Sequence, residues 1–242
     1  MLPSSSKAPL EHSEVNIFLK GSHLSIADGD FTVTSGQDGF HCENDEDNTL
    51  GNIYIAGGSF TIQAKDDAVH ANAMLQIDGG SINITAAEGL EATYVRINGG
   101  EIAIQASDDG VNAARKSTAY TPTFEMNDGY LKVVMGPGDT DGIDANGNIV
   151  INGGTIDVTG NSTFDYDGTA QLNGGTVICN GQQVSTLPNQ MMGGGRGGNF
   201  GGGGFGGNGD ENNPGYGGRG NEGNPGFGGK EGRGNPGEGR RK

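Results

Sequence analysis

The chain has 242 residues, 49 of them glycine and none tryptophan, and a formal net charge of −16. So acidic a chain repels nucleic acid and anionic membrane surfaces. No run of about 18 apolar residues could form a membrane-spanning helix, and two cysteines are too few for a disulfide framework.

The first twenty residues carry little pattern beyond a short candidate strand, "VNIFL" at 15–19. Met1–Glu14 has neither the basic start nor the apolar core of a secretion signal. Nothing before Leu24 clearly caps the patterned region, so residues 1–20 are expected to be an irregular segment whose natural N-terminal portion is lost.

Residues 21–185 repeat. The marker is a glycine pair followed by alternation: "GGSFTIQA" at 57–64, "GGSINITA" at 79–86, "GGEIAIQA" at 99–106, "GGTIDVTG" at 153–160 and "GGTVICNG" at 174–181. Looser versions are "DGDFTVTS" at 28–35 and "DGYLKVVM" at 128–135. Successive markers are 29, 22, 20, 29, 25 and 21 residues apart, a base period near twenty with insertions. Each period holds three short alternating stretches, typified by "LQI" (75–77), "SINIT" (81–85) and "LEA" (90–92). Alternation at period two describes strands with one buried face, and no 3.6-residue pattern appears. The expectation is an all-β fold, a right-handed parallel β-helix of six to seven coils with three short strands per coil.

Stacking the periods turns single side chains into rows. Ile55, Ile77, Ile97, Met126, Ile151 and Leu172 form one apolar row. Phe60, Ile82, Ile102, Leu131, Ile156 and Val177 form another. Phe40, Val69, Leu90, Val111 and Ile143 form a third, backed by Cys42, Ala71, Ala92, Ala113 and Ala145. Cys42 and Cys179 fall in the first and last periods, too far apart to bridge, so both are expected as buried free thiols.

The same stacking produces an acidic row: Asp38, Asp67, Glu88, Asp109, Asp141 and Asp167, with Asp66 and Asp108 beside it. Three places on stand His41, His70, Glu91, Asn112 and Asp144. Like charges stacked about 5 Å apart repel, and a hard dication would offset that. Calcium takes six to eight oxygen ligands. Asp67 with Glu88 and Glu91, or Asp109 and Asn112 with Asp141 and Asp144, could supply them. The bland alternative is a solvated corner whose acids only confer solubility.

These phrases, an acid-glycine corner followed by "φ-x-I-x-G-G-[TSE]-φ-x-I" and a glycine-rich tail, resemble the clostridial carbohydrate-binding β-helix proteins. The resemblance covers about 21–185. It implies a pectate-lyase-like fold, an extracellular or cell-surface location, calcium at acidic turns and binding of polygalacturonate or cellulose without established catalysis. The turns that correspond are Asp66, Asp67, Asp108, Asp109, Asp141 and Asp144. Ala68 stands where other turns have glycine, and Ala87–Glu88 replaces an aspartate pair.

For such a binder neither nucleic acid nor a membrane interior is an expected partner, and the chain is expected as a monomer. Outward positions Tyr54, Gln76, Arg96 and Glu125 form one column; Thr61, Asn83, Ala103 and Lys132 form another, with Gln63, Thr85 and Gln105 alongside. Tyr54 and Tyr94 could stack on sugar rings, and Arg96, Arg115 and Lys116 could meet uronate carboxylates. A calcium-dependent polysaccharide lyase is the enzymatic alternative, with Arg115–Lys116 opening the insertion "ARKSTAYTPT" (114–123). An adhesin-like structural β-helix is the third reading. Residues 186–242 lack the apolar content for a core and are expected to be a disordered tail, with "NPG" at 213, 224 and 235 and a candidate sticky set in Phe200, Phe205, Tyr216 and Phe227.

Overall fold

The computed structural model describes residues 17–19, 23–138 and 140–189. The expectations for the first sixteen residues and for the tail, including Phe200, Phe205, Tyr216 and Phe227, lie outside the described residues. Within them the protein is all-β, with no helix.

The strands form two sheets. The eight-stranded sheet contains the segment after each glycine pair: Asp30–Thr34, Ser59–Gln63, Ser81–Ala86, Glu101–Ala106, Tyr130–Met135, Thr155–Thr159 and Thr176–Cys179, closed by Gln182–Val184. The first seven are joined by six parallel pairings, each between equivalents in successive repeats. The twelve-stranded sheet contains the other two strand classes. Its main path runs Ile17–Leu19, Phe40–Cys42, Asp67–Ile77, Glu88–Ile97, Asp109–Ala113, Asp141–Ala145 and Ser162–Tyr166.

Two of the three expected short strands therefore fuse in the middle repeats, where Asp67–Ile77 and Glu88–Ile97 each run through. Between the two halves stand Asn72–Ala73 and Thr93, with no glycine or proline to turn the chain, and a bulge between Ala71 and Met74 takes up the bend. Where the insertion at 114–122 or Asn146–Gly147 intervenes, the halves separate into Asp109–Ala113 and Thr123–Met126, or Asp141–Ala145 and Asn148–Ile151.

The apolar rows pair as spaced. Ile55 faces Ile77, then Ile97, Met126, Ile151 and Leu172. Phe60 through Val177, and Phe40 through Ile143, pair likewise. Most of these side chains are fully buried, and each contributes about 1.5–3 kcal/mol by leaving water. Phe31 and Phe60 stack at 4.9 Å and Phe40 meets both edge-on, filling the amino-terminal end of the core.

Two expectations change. Cys42 and Cys179 are both free, but only Cys42 is buried; Cys179 is half-buried because its strand lies next to the last one of its sheet. That last strand, Gln182–Val184, runs antiparallel to Thr176–Cys179. Asn180 (φ 52°) and Gly181 (φ 77°) make the turn, and consecutive positive φ values in an Asn-Gly pair favour a tight hairpin.

Each glycine pair brings one backbone against the turn before it. At Gly100, φ is +97° and an added Cβ would lie 2.9 Å from the Gly80 carbonyl oxygen. Gly100→Ala is therefore expected to lower the melting temperature by at least about 3 °C. Gly36→Ala, where a Cβ meets nothing within 4 Å, should change it by less than about 1 °C. Thermal unfolding followed by circular dichroism checks the pair.

Candidate functional site

Parallel register brings the polar positions into one row along the twelve-stranded sheet. Asp67 pairs with Glu88, and Asp109 with Asp141. Three residues on, His41, His70, Glu91, Asn112, Asp144 and Asp165 follow one another. Asp167 is not part of the acidic row. The partner of Asp141 is Ser162, and Asp167 lies past the end of its strand, its N–H donating to the Ala145 carbonyl at 3.0 Å. Asp66 and Asp108 are exposed beside the row.

The two ends of the row solve the charge problem differently. At the first, Asp67 and Glu91 are 5% and 3% exposed, and cations meet them. His70 Nδ1 lies 2.6 Å from Asp67 Oδ2 and 2.8 Å from Glu91 Oε2, and Lys116 Nζ lies 2.8 Å from Glu91 Oε1. Burial alone would lower the imidazole pKa, but Asp67 and Glu91 outweigh it and take His70 up to about 10. Burial would raise Glu91, yet His70 and Lys116 hold it down to about 2.

Lys116 reaches Glu91 because the insertion is pinned. The buried Thr93 hydroxyl accepts the N–H groups of Lys116 and Ser117 at 3.0 and 2.8 Å and donates to the Asn72 carbonyl at 2.8 Å. Ser117 in turn donates to the Asn48 carbonyl. Asp67 Oδ2 and both Glu91 oxygens are thus engaged by His70 and Lys116.

At the second end nothing comparable intervenes. Among the described residues, no Lys, Arg or His stands in ion-pair reach of Glu88, Asp109 or Asp144. Burial, then Asp144, Asp108 and Asp141, push Asp109 up to about 7, although the Asp141 N–H donates to its Oδ1 at 3.2 Å. Burial, then Asp141, Asp165 and Asp167, push Asp144 up to about 6. Burial and Glu91 push Glu88 up to about 8 against the Asn112 amide, whose Nδ2 donates at 3.0 Å. The Asn112 Oδ1 and Asp165 Oδ1 atoms are buried with no hydrogen-bond partner. Carboxylates acting on one another's charge beside buried oxygens without partners are the kind of oxygen donors a hard dication takes, but the described Asp, Glu and His groups whose ligand atoms lie within 4.8 Å of one another are at Asp38, His41 and His70, at Asp67, His70 and Glu91, and at Asp38, Asp66 and Asp67.

The outer surfaces divide as well. On the twelve-stranded sheet, the Tyr54 hydroxyl donates to Asp78 at 2.7 Å. Tyr94 donates to Glu125, which also takes Arg96 Nε at 3.0 Å, and the Arg96 guanidinium sits 5.0 Å over the Tyr94 ring. Tyr94, Arg96 and Lys116 are thereby engaged within the protein, while Arg115 is exposed. Tyr120, edge-on to Tyr94 at 5.8 Å, is the exposed aromatic of this region.

An amide ladder runs beside it: Asn98 donates to Asp78, Asn127 to Asn98, Asn152 to Asn127 and Asn173 to Asn152, at 2.7–2.8 Å. The sequence signal for this ladder is the polar residue just before each glycine pair or its equivalent from Asp78 onward: Asp78, Asn98, Asn127, Asn152 and Asn173.

The outer face of the eight-stranded sheet is a shallow trough of about 350 Å³, lined by Thr61, Gln63, Asn83, Thr85, Gln105 and Lys132, with a dip at Ala103. A second depression of about 460 Å³ continues it past Thr85 and Gln105 to Lys65.

A family model described as "Carbohydrate-binding domain-containing protein" matches residues 16–140 and 88–183. The two matches overlap, as expected when one repeat pattern fits in more than one register. No curated protein and no solved structure matches the chain.

With a chelator present, stability should fall as pH rises from about 5 to 9. The native state holds protons on Glu88, Asp109 and Asp144 that the unfolded chain has already released. Their contribution is complete below the ordinary carboxylate range and lost as pH climbs through about 6, 7 and 8. His70, raised to about 10, acts in the same direction above about pH 6.5. The Asp109→Asn/Asp144→Asn double variant should flatten the lower part of this slope, read from melting temperature against pH.

Proposed function

This chain belongs to the carbohydrate-binding domain-containing protein family, and from that premise we propose that it is a non-catalytic, calcium-stabilised binder of an acidic plant cell-wall polysaccharide of the polygalacturonate type. The observation that carries this reading is the trough that presents Thr61, Gln63, Asn83, Thr85 and Gln105, with Lys132 in its lining and Lys65 in the depression that continues it. Amide and hydroxyl side chains suit sugar hydroxyls, and the lysines suit uronate carboxylates. Cellulose is the weaker ligand because a flat glucan needs open aromatic faces, and the Tyr94 ring lies under Arg96.

A chain of net charge −16 must also offset its own repulsion of a polyanion. Calcium held by Asp109, Asn112, Asp141 and Asp144 would supply that and would turn an acidic corner into an anion-attracting one. The oxygen atoms of Asn112 and Asp165 left without partners support this placement.

For the architecture, we infer a right-handed parallel β-helix across 21–185. It is supported by three strand classes that each pair in parallel with their equivalents one repeat on. An extracellular location follows from the ligand class. A lyase is disfavoured, because Lys116, one of its candidate cations, is tied to Glu91.

Retention on immobilised polygalacturonate is expected with calcium and should drop by at least about tenfold in chelator or in the Lys65→Ala/Lys132→Ala variant. Equal retention under all three conditions would remove the trough and the cation from the reading. Accumulation of an ultraviolet-absorbing unsaturated uronide would reassign the protein to the lyases.

A further inference from the structure

The trough on the eight-stranded sheet has a direction built into it. Its lining comes from four neighbouring strands, Ser59–Gln63, Ser81–Ala86, Glu101–Ala106 and Tyr130–Met135. Register sets Thr61, Asn83, Ala103 and Lys132 in one outward row across them, and Gln63, Thr85 and Gln105 in a second row two residues on. Along any single strand the outward face is short, as in Ser81, Asn83 and Thr85. Across the strands it continues from repeat to repeat.

The two lysines belong to the outermost of these four strands. Lys132 stands on the last, and Lys65 follows Gln63 by two residues at the end of the first. Both are exposed, and neither makes an ion pair with a described residue. Three strand steps separate them, about 14 Å at the ordinary spacing of paired strands. The side chains on the strands between them in these rows, at Asn83, Thr85, Ala103 and Gln105, carry no charge. Acids stand on the flanks. Glu101 is exposed two residues before Ala103, and the register partner of Lys132 on the next strand is Asp157, whose Oδ2 accepts the Tyr130 hydroxyl at 3.5 Å.

We propose that a uronide chain crosses these strands, one sugar unit per strand, with the carboxylates of its first and fourth units on Lys65 and Lys132 and its two middle units held through their hydroxyls. This rests on the polyuronide-binding reading above and adds the ligand's direction, its minimum length and the positions where charge is read. An extended 1,4-linked pyranose unit is close in length to the gap between paired strands, so sugar and strand stay in step over four units. Amides and a hydroxyl over the middle strands offer donors and acceptors to sugar hydroxyls. Glu101 turns the middle carboxylates away to solvent by like-charge repulsion, and Asp157 closes the run to a further uronate beyond Lys132. Once one lysine is engaged, the second contact is intramolecular and adds to affinity only when the ligand is long enough to reach it.

The test is calorimetric titration of the full chain, in calcium, with galacturonate oligomers of two to six units. Affinity should rise by at least about tenfold between the trimer and the tetramer, the size of one charge-assisted contact, and by less than about threefold for each later unit. Lys65→Ala and Lys132→Ala should each remove that step, leaving the tetramer no tighter than the trimer. A general weakening by lost positive charge would instead lower every length alike. A tetramer methyl-esterified on its two middle units should bind within about threefold of the free acid. Binding of polygalacturonate without a step at four units, or with a step that survives both lysine variants, would overturn the crossing geometry and leave the functional reading standing. Failure of polygalacturonate itself to bind would overturn both.

Discussion

A parallel sheet whose strands come from successive repeats places chemically equivalent residues about 4.8 Å apart, with no freedom to stagger them. Every position then becomes a row, and its chemistry is multiplied. For isoleucine the multiplication is favourable: the rows beginning at Ile55 and Phe60 are nearly continuous columns of buried apolar side chains. For asparagine it is favourable too, since an amide both donates and accepts, and the ladder from Asp78 to Asn173 satisfies each member from its neighbour. For carboxylates it is costly, because each can only accept.

The acidic row can therefore persist only if something donates to it. The protein answers this with two imidazoles and a lysine at one end, the lysine delivered by an insertion pinned on Thr93. At the other end it leaves Asp109 and Asp144 facing one another's charge. Apolar burial of about 1.5–3 kcal/mol per core residue is large enough to hold such a corner in place. Stability and ligand chemistry thus occupy opposite faces of the same strands, separated by the period-two alternation.

Row membership is readable from spacing because alternation and glycine pairs mark the phase of each repeat. The apolar rows and the succession His41, His70, Glu91, Asn112, Asp144 require nothing else. Spacing misplaces Asp167 because "YDGT" imitates the acid-glycine corner, while the true partner strand, Ser162–Tyr166, has serine in the acid's place. The pairing of Lys116 with Glu91 is hidden for a different reason. It depends on where the insertion at 114–122 folds back, and side-chain bonds from Thr93 and Ser117 decide that, rather than any periodic pattern. The engagement of Tyr94 by Arg96 and Glu125 is equally invisible, since it arises from a diagonal between neighbouring strands. The fused strands at 67–77 and 88–97 reflect the absence of glycine or proline between their halves.

The reversed strand Gln182–Val184 has a consequence for assembly. A sheet built wholly of parallel strands ends in an edge of the same polarity as every strand within it, so a second molecule could add its first strand there and lengthen the stack into a fibre. The hairpin at Asn180–Gly181 exchanges that edge for one of opposite direction. On this face, end-to-end polymerisation would require the incoming chain to pair against its own repeat polarity, which breaks the match between rows on which the fold relies.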